Sequence, residues 1–258
     1  MTLSLALNAE SDTFILVGSR VSGLVLTAPM FSARAIPTLV TTAVILVLSI
    51  VLTPLMPLVH TNFLLLGGGV VLQFAIGALM GLILALFLSA FTIAGQIVTY
   101  QLGIGLASFS NPALIGASSM LSEWEGLLAL FIFVALQGPE LLVMALRDSF
   151  TALPLTHVGI PPDALAFVVG LFGTVLEIAL LVAAPLVVVG LVADLSVGIL
   201  GRAFPQVSAF FLSLPVKLGL ALLVLLASLP LFFALVPNAL TQGFTDLSRL
   251  LVLLEGRP

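Results

Sequence analysis

The sequence has 258 residues, 61% hydrophobic and 7% charged, with a mean hydropathy of +1.37. A soluble domain carries roughly 25% charged residues, so this composition excludes a chain folded with water as its main solvent. The net charge of -4 is a small difference between 11 acidic and 7 basic residues spread along the chain, which makes neither a nucleic-acid footprint nor a polybasic lipid patch.

Residues 1–13 contain Glu10 and Asp12 but no Lys or Arg, so they lack the positive region of a cleaved signal peptide, and the first apolar segment is expected to stay in the mature protein. Prolines, glycines and charges then divide the chain into six apolar segments, residues 14–31, 38–52, 64–100, 126–146, 164–193 and 218–235, each a candidate hydrophobic helix or helical hairpin. One span needs about 20 apolar residues. The third segment is longer than one span takes and is expected to bend or divide near Gly77 and Gly81. Two uncharged runs underline the pattern: 88 residues between Arg34 and Glu123, and 28 between Lys217 and Asp246.

Proline punctuates the chain. Thr53-Pro54-Leu55-Met56-Pro57 closes the second segment, because proline lacks an N–H and disfavours helix in its predecessor. Leu153-Pro154 and Ile160-Pro161-Pro162-Asp163 bracket a polar connector, with Asp163 placed to favour a helix start. This is the best internal boundary, dividing residues 1–160 from 161–258. Too few basic residues flank the segments for the positive-inside rule to orient them.

Catalytic patterns are missing from the sequence: no phosphate-binding loop, no His-Glu-x-x-His helix and no Gly-x-Ser-x-Gly elbow. His60 and His157 stand far apart beside loops and read as solvated or locally bonded side chains. Without cysteine there is no disulfide framework and no thiolate site. The chain is therefore expected to be no enzyme and to carry no cofactor or metal.

Small residues recur at helical spacing. Gly77 and Gly81, Ala90 and Ala94, and Gly170, Gly173 and Thr174 with Glu177 make faces that admit close helix contact, either within this chain or against other subunits. Gly190, Asp194, Gly198 and Arg202 advance by four residues each, which puts a carboxylate and a guanidinium about 12 Å apart on one face, too far for a direct pair. A charge in apolar surroundings needs a partner, a hydrogen bond or water. Arg20, Arg34, Glu177, Asp194, Arg202 and Lys217 are thus candidate buried or inter-subunit charges, although Arg202 and Lys217 also fit the polar turn of a hairpin.

The run from Gly103 through Ile104, Gly105, Leu106, Ala107, Ser108, Phe109, Ser110 and Asn111 to Pro112 breaks the apolar regularity. Irregular backbone at membrane depth is tolerated only inside protein or along a water-filled cavity. It is either a functional loop or an ordinary turn between helices.

Several motifs together carry a family resemblance. Gly190-Leu191-Val192-Ala193-Asp194-Leu195 through Gly201-Arg202-Ala203-Phe204-Pro205-Gln206, then Leu214-Pro215-Val216-Lys217, resemble the C-terminal signature of the FliR family. Arg20, Gly23, Ala28-Pro29 and Ile36-Pro37 resemble its N-terminal pattern; Gly95-Gln96, the 103–109 run, Asn111-Pro112 and Ser149-Phe150 with Leu153-Pro154 resemble its middle. Two departures stand out. Gly138 is followed by proline where the family has histidine, and Asn111 stands where aspartate is common. The injectisome homologues, the SctT proteins, are similar, and the contexts of Gln96 and Asn111-Pro112 favour the flagellar branch.

The resemblance implies an all-α integral subunit of the flagellar type III export gate in the bacterial inner membrane, seated in the basal body. It implies a FliP-like part, residues 1–160, fused to a FliQ-like helical hairpin, residues 161–258, joined to FliP-like and FliQ-like subunits, with FlhB-like and FlhA-like components as further partners. Membrane lipid surrounds such an assembly, unfolded flagellar proteins are its cargo, and nucleic acid is not a partner. It further implies that many of the hydrophobic helices pack against neighbours instead of crossing lipid, so that six spans overcounts. The loop at 103–120 then corresponds to a pore plug, in which Gly103 and Gly105 permit motion, Asn111 and Pro112 set a bend, and Leu106, Phe109, Leu114 and Ile115 exclude water. The competing reading of the residues alone is a secondary transporter or channel for a small solute, with Asp194 and Glu177 as ion sites, although such proteins often show repeated halves and none are evident in the sequence.

Overall fold

The computed structural model describes residues 2–31, 36–60, 62–102, 115–156, 159–203 and 209–255. Among the described residues the chain is all-helical, without strands. Seven α-helices follow one another: α1 Thr2–Thr27, α2 Thr38–Leu52, α3 Phe63–Gln101, α4 Ile115–Ala135, α5 Gly138–Ala152, α6 Pro162–Ala203 and α7 Ala209–Glu255. A 3₁₀ turn, Thr53–Leu55, closes α2 where Pro54 removes a donor. α6 begins at Pro162, a residue suited to a first helical position because its missing N–H is an orphan there in any case, and Asp163 lies in its first turn.

Among the described residues, four helices contain stretches long and apolar enough to cross a membrane: Thr38–Leu55, Leu64–Gln101, Pro162–Arg202 and Leu222–Glu255. The pair Leu121–Ala135 and Gly138–Ala152, bent by 66°, brings the number to five if it is counted as one span. The six-segment expectation is corrected in three places. α1 is not of that kind. The segment 126–146 is two helices, because Gln137 takes a left-handed backbone with φ 59° and Pro139 opens the next helix. The third segment does not divide: α3 runs unbroken for 39 residues, since its mid-helix glycines serve a crossing with α1 and leave the helical ladder intact.

The chain forms two compact units. The first comprises Met1–Phe87, Val134–Phe172 and Leu240–Pro258; the second comprises Leu88–Phe133 and Gly173–Ala239. In the first, α1 buries Leu16, Val17, Val21, Leu24 and Val25, a helical stripe, against the start of α3 with Ile76, Met80, Ile83 and Leu84. A Cβ on Gly77 would strike the Arg20 carbonyl oxygen, one on Gly81 the Thr27 hydroxyl, and one on Gly23 the Phe74 carbonyl oxygen. Glycine alone permits this backbone approach, and Thr27 Oγ1 donates across it to the Ala78 carbonyl at 3.1 Å. The small-residue face at Gly77 and Gly81 therefore packs within the chain.

The second unit is built on Phe91, Ala94 and Val98 of α3, Ala129 and Phe133 of α4, Val175, Ala179 and Ala183 of α6, and Phe232 and Val236 of α7. Phe91 and Phe232 meet edge to face with ring centroids 5.2 Å apart. Gly95 lies against the Ser122 backbone, so α3 and α4 also cross closely.

Candidate functional site

Two polar clusters interrupt this apolar fold, one in each unit. In the first, Arg20 falls on the buried stripe of α1 and is fully enclosed. Its Nε donates to Gln73 Oε1 at 2.7 Å, Nη1 to the Ser149 carbonyl at 2.8 Å and to Ser149 Oγ at 3.2 Å, and Nη2 to the Leu153 carbonyl at 2.7 Å. The guanidinium lies over the Phe150 ring, 4.3 Å from its centroid, and Gln73 Nε2 donates onward to the Leu155 carbonyl at 3.1 Å. The acceptors are neutral and cluster at the C-terminal end of α5, where a helix carries partial negative charge and unpaired carbonyls. Desolvation by burial draws the Arg20 pKa down to about 9, which leaves it cationic at neutral pH. A planar five-donor fork suits this task and an ammonium does not.

In the second unit, Lys217 of α7 holds Asp194 of α6, with Nζ 2.5 Å from Oδ1. Lys217 Nζ also donates to the Gln101 carbonyl at 3.3 Å, and Gln101 Nε2 donates to Asp194 Oδ2 at 3.3 Å. Three helices thus share one knot: the last residue of α3 and both arms of the α6–α7 hairpin. Gly190, one turn before Asp194, makes room for it, because a Cβ there would press on the Gln101 side chain. Lys217 is the more enclosed partner and Asp194 is nearly half exposed, so the knot sits at the surface of the chain and not in a sealed core.

This knot stands at the threshold of the loop. Of the loop residues named from the sequence, Gly103, Gly105, Leu106, Phe109, Asn111, Pro112 and Leu114 lie outside the described residues, as does Arg34. The backbone from Ile115 to Met120 is the first part of α4, so the described end of that segment is helical; the side chain of Ile115 lies outside the described set. Glu177 is exposed on α6, and Gly170 and Gly173 beside it face open space. Arg202 is exposed near the end of α6. Of the six candidate charges the structure brings Asp194 and Lys217 together, places Arg20 elsewhere, and leaves Glu177 and Arg202 at the surface of the chain.

Sequence reasoning passes over Gln73, Gln101 and Glu125. Gln101 had a legible signal, a polar side chain at the last turn of an apolar helix two residues before Gly103. Gln73 likewise is the one amide in the uncharged first half of α3. His60 and Asp12 meet at 3.2 Å at an exposed edge of the first unit, and His157 lies outside the described residues. Among the described residues no group of three or more acidic or histidine side chains is arranged to hold a metal ion.

Comparison with known proteins fits this arrangement into a family. Residues 12–243 match the family described as bacterial export proteins, family 1. The flagellar biosynthetic protein FliR of Caulobacter vibrioides is 32% identical over 217 residues, 81% of this chain and 86% of that protein. FliR of Pectobacterium carotovorum is 27% identical, covering 92% of this chain and 91% of its own length. FliR of Bacillus subtilis is 24% identical, covering 93% and 95%. Since the match runs from α1 deep into α7 and includes both polar clusters, the chain belongs to the bacterial export proteins of family 1, the FliR family.

Proposed function

We propose that this component of the flagellar type III export apparatus joins FliP-like and FliQ-like subunits to enclose the pore through which unfolded flagellar proteins cross the inner membrane. The observation that carries the proposal is the apolar surface its longest helices leave open. Only 33% of the apolar stretch in α6 and 17% of that in α7 are buried by the chain itself. Leu176, Leu180, Leu191, Leu195 and Ile199 stand exposed along α6. Such surfaces are covered either by lipid or by other subunits. A 42-residue helix extends about 63 Å, twice the ~30 Å of a bilayer's hydrocarbon core, so lipid alone covers only part of it.

The family is non-enzymatic, and the chain is an inner-membrane constituent of the basal body. Residues 1–160 act as a FliP-like part and 161–258 as a FliQ-like hairpin, with FlhB-like and FlhA-like components as further neighbours. The segment 103–120 serves as the plug, anchored by the Gln101, Asp194 and Lys217 knot at its start. An apolar constriction closes by dewetting and needs no charge, which agrees with the uncharged run that contains it.

A pull-down of the chain from its native membrane in mild detergent tests the assembly: FliP-like and FliQ-like subunits co-purify, and their absence refutes it. The plug is tested separately. Replacing Phe109 and Leu114 together by Ala is expected to raise membrane conductance to small ions in cells with an assembled gate. Unchanged ion tightness with normal assembly removes the plug role and leaves the family membership intact.

A further inference from the structure

One carboxylate of α6 is left without a partner by the chain. Between Asp163 and Asp194 the helix carries a single charge, Glu177, about 21 Å along the axis from the first and about 25 Å from the second. A bilayer's hydrocarbon core is about 30 Å thick, so every crossing of α6 between Asp163 and Asp194 includes Glu177. Among the described residues no cation reaches it, and the side chain is exposed. A Cβ on Gly173, one turn before it, would touch nothing, and Leu176 and Leu180 complete the same stripe at 53% and 59% exposure. Glu125 offers no comparable site: its Oε2 is also unpartnered, but the residue is enclosed by its own chain.

We infer that this stripe is covered, in the export assembly, by an apolar helix of a partner subunit that carries one lysine or arginine, and that this cation pairs with Glu177. The inference rests on the assembly proposed above. Charge complementarity selects the occupant. An ionisable side chain at membrane depth is satisfied by an opposite charge, by backbone carbonyls or by water. Carbonyls repel a carboxylate, and the leucines beside Glu177 make a poor wall for a water-filled channel. Lipid tails offer no donor at all. Gly173 marks the place of closest approach, since a glycine lets two helix backbones come together. The Asp194–Lys217 knot needs no such partner, because its charges are already satisfied within the chain.

Two measurements on the full chain in its native membrane test this. First, a photo-reactive p-benzoylphenylalanine in place of Leu180 is irradiated in cells and the adduct is mapped by mass spectrometry. Attachment to a partner-subunit helix with Lys or Arg within one turn of the adduct is the expected result. Attachment to lipid alone, to a peptide without a basic residue, or to nothing overturns the inference. Second, Glu177→Lys sets two cations against each other and is expected to lower recovery of partner subunits about tenfold or more. Exchanging the mapped basic residue for Glu is expected to restore recovery, and failure to do so overturns the inference. Glu177→Gln guards against a lysine that merely hinders insertion. It leaves the partner's cation unpaired and is expected to lower recovery about threefold or more at an unchanged membrane level of the chain; wild-type recovery of this variant overturns the inference. The two proposals fail differently: if the wild-type chain recovers no partner subunits, the assembly falls and this contact with it, whereas partners recovered without a basic contact at Leu180 remove the contact only.

Discussion

Removing the guanidinium of Arg20 takes a charged donor away from the carbonyls of Ser149 and Leu153 and from Gln73 Oε1, in a place water does not reach; the Ser149 carbonyl keeps only the Leu153 N–H. Hydrogen bonds to a charged group are each worth about 1.5–3 kcal/mol, so Arg20→Ala is expected to destabilise the chain by about 3 kcal/mol or more. Thermal unfolding of the purified assembly, with membrane protein level as a second readout, measures this. Arg20→Lys keeps the charge but reaches fewer acceptors, and it falls between the two. The other cluster behaves differently. Asp194 is nearly half exposed at the surface of the chain, and an exposed ion pair contributes only about 0.2–1 kcal/mol. Asp194→Asn and Lys217→Met are therefore expected to cause modest, non-additive losses of complex yield, since each removes the same contact. Additive losses in the double variant would show that the two residues answer to different partners. Arg202→Ala tests a separate contact, because Arg202 is exposed and outside the knot.

Helix faces decide which small residues serve the chain and which serve its neighbours. Gly77 and Gly170 look alike in the sequence, each within a run of small residues, yet a Cβ at Gly77 meets backbone and one at Gly170 meets nothing. Gly77→Val is expected to cost about 1–3 kcal/mol through forced separation of α1 and α3 and to lower the amount of folded chain in the membrane. Gly170→Val is expected to leave that amount unchanged and to reduce co-purification of partner subunits instead. Equal effects on both readouts for both variants would contradict the division. Hydropathy made much of the fold legible: residues 38–52 are α2 as read, and the apolar run 64–100 is α3 within a residue at either end. It cut α6 and α7 short, because Asp194, Lys217 and Pro237 look like ends in a composition profile although the helices continue through them. It fused α4 with α5, because a left-handed residue at Gln137 leaves no trace in hydropathy. The acceptors around Arg20 were hidden for another reason: two of the four are backbone carbonyls, which every residue possesses. Of the candidate site, the charges of the knot were visible and their pairing was not, since Gln101 is 93 residues from Asp194 along the chain.

At the scale of the whole chain, apolar side chains remain open along α2, α6 and α7, including Leu39, Ile50, Leu223 and Leu226. Exposed apolar surface on this scale marks interaction sites. The purified chain without partners is accordingly expected to elute as a broad, aggregated species on size exclusion in mild detergent, and to become monodisperse when the partner subunits are co-expressed. A sharp monomer peak with cooperative unfolding would contradict this. The pairing of Asp194 with Lys217 has a consequence for how the chain enters the membrane during synthesis. Asp194 emerges from the ribosome before Lys217, and a charge on an apolar helix is costly to insert while it has no partner. Until α7 follows, α6 therefore carries an uncompensated carboxylate at the translocon. The two arms are best transferred together, as one neutral hairpin, and a nascent chain halted between residues 194 and 217 is the point at which insertion is most easily lost.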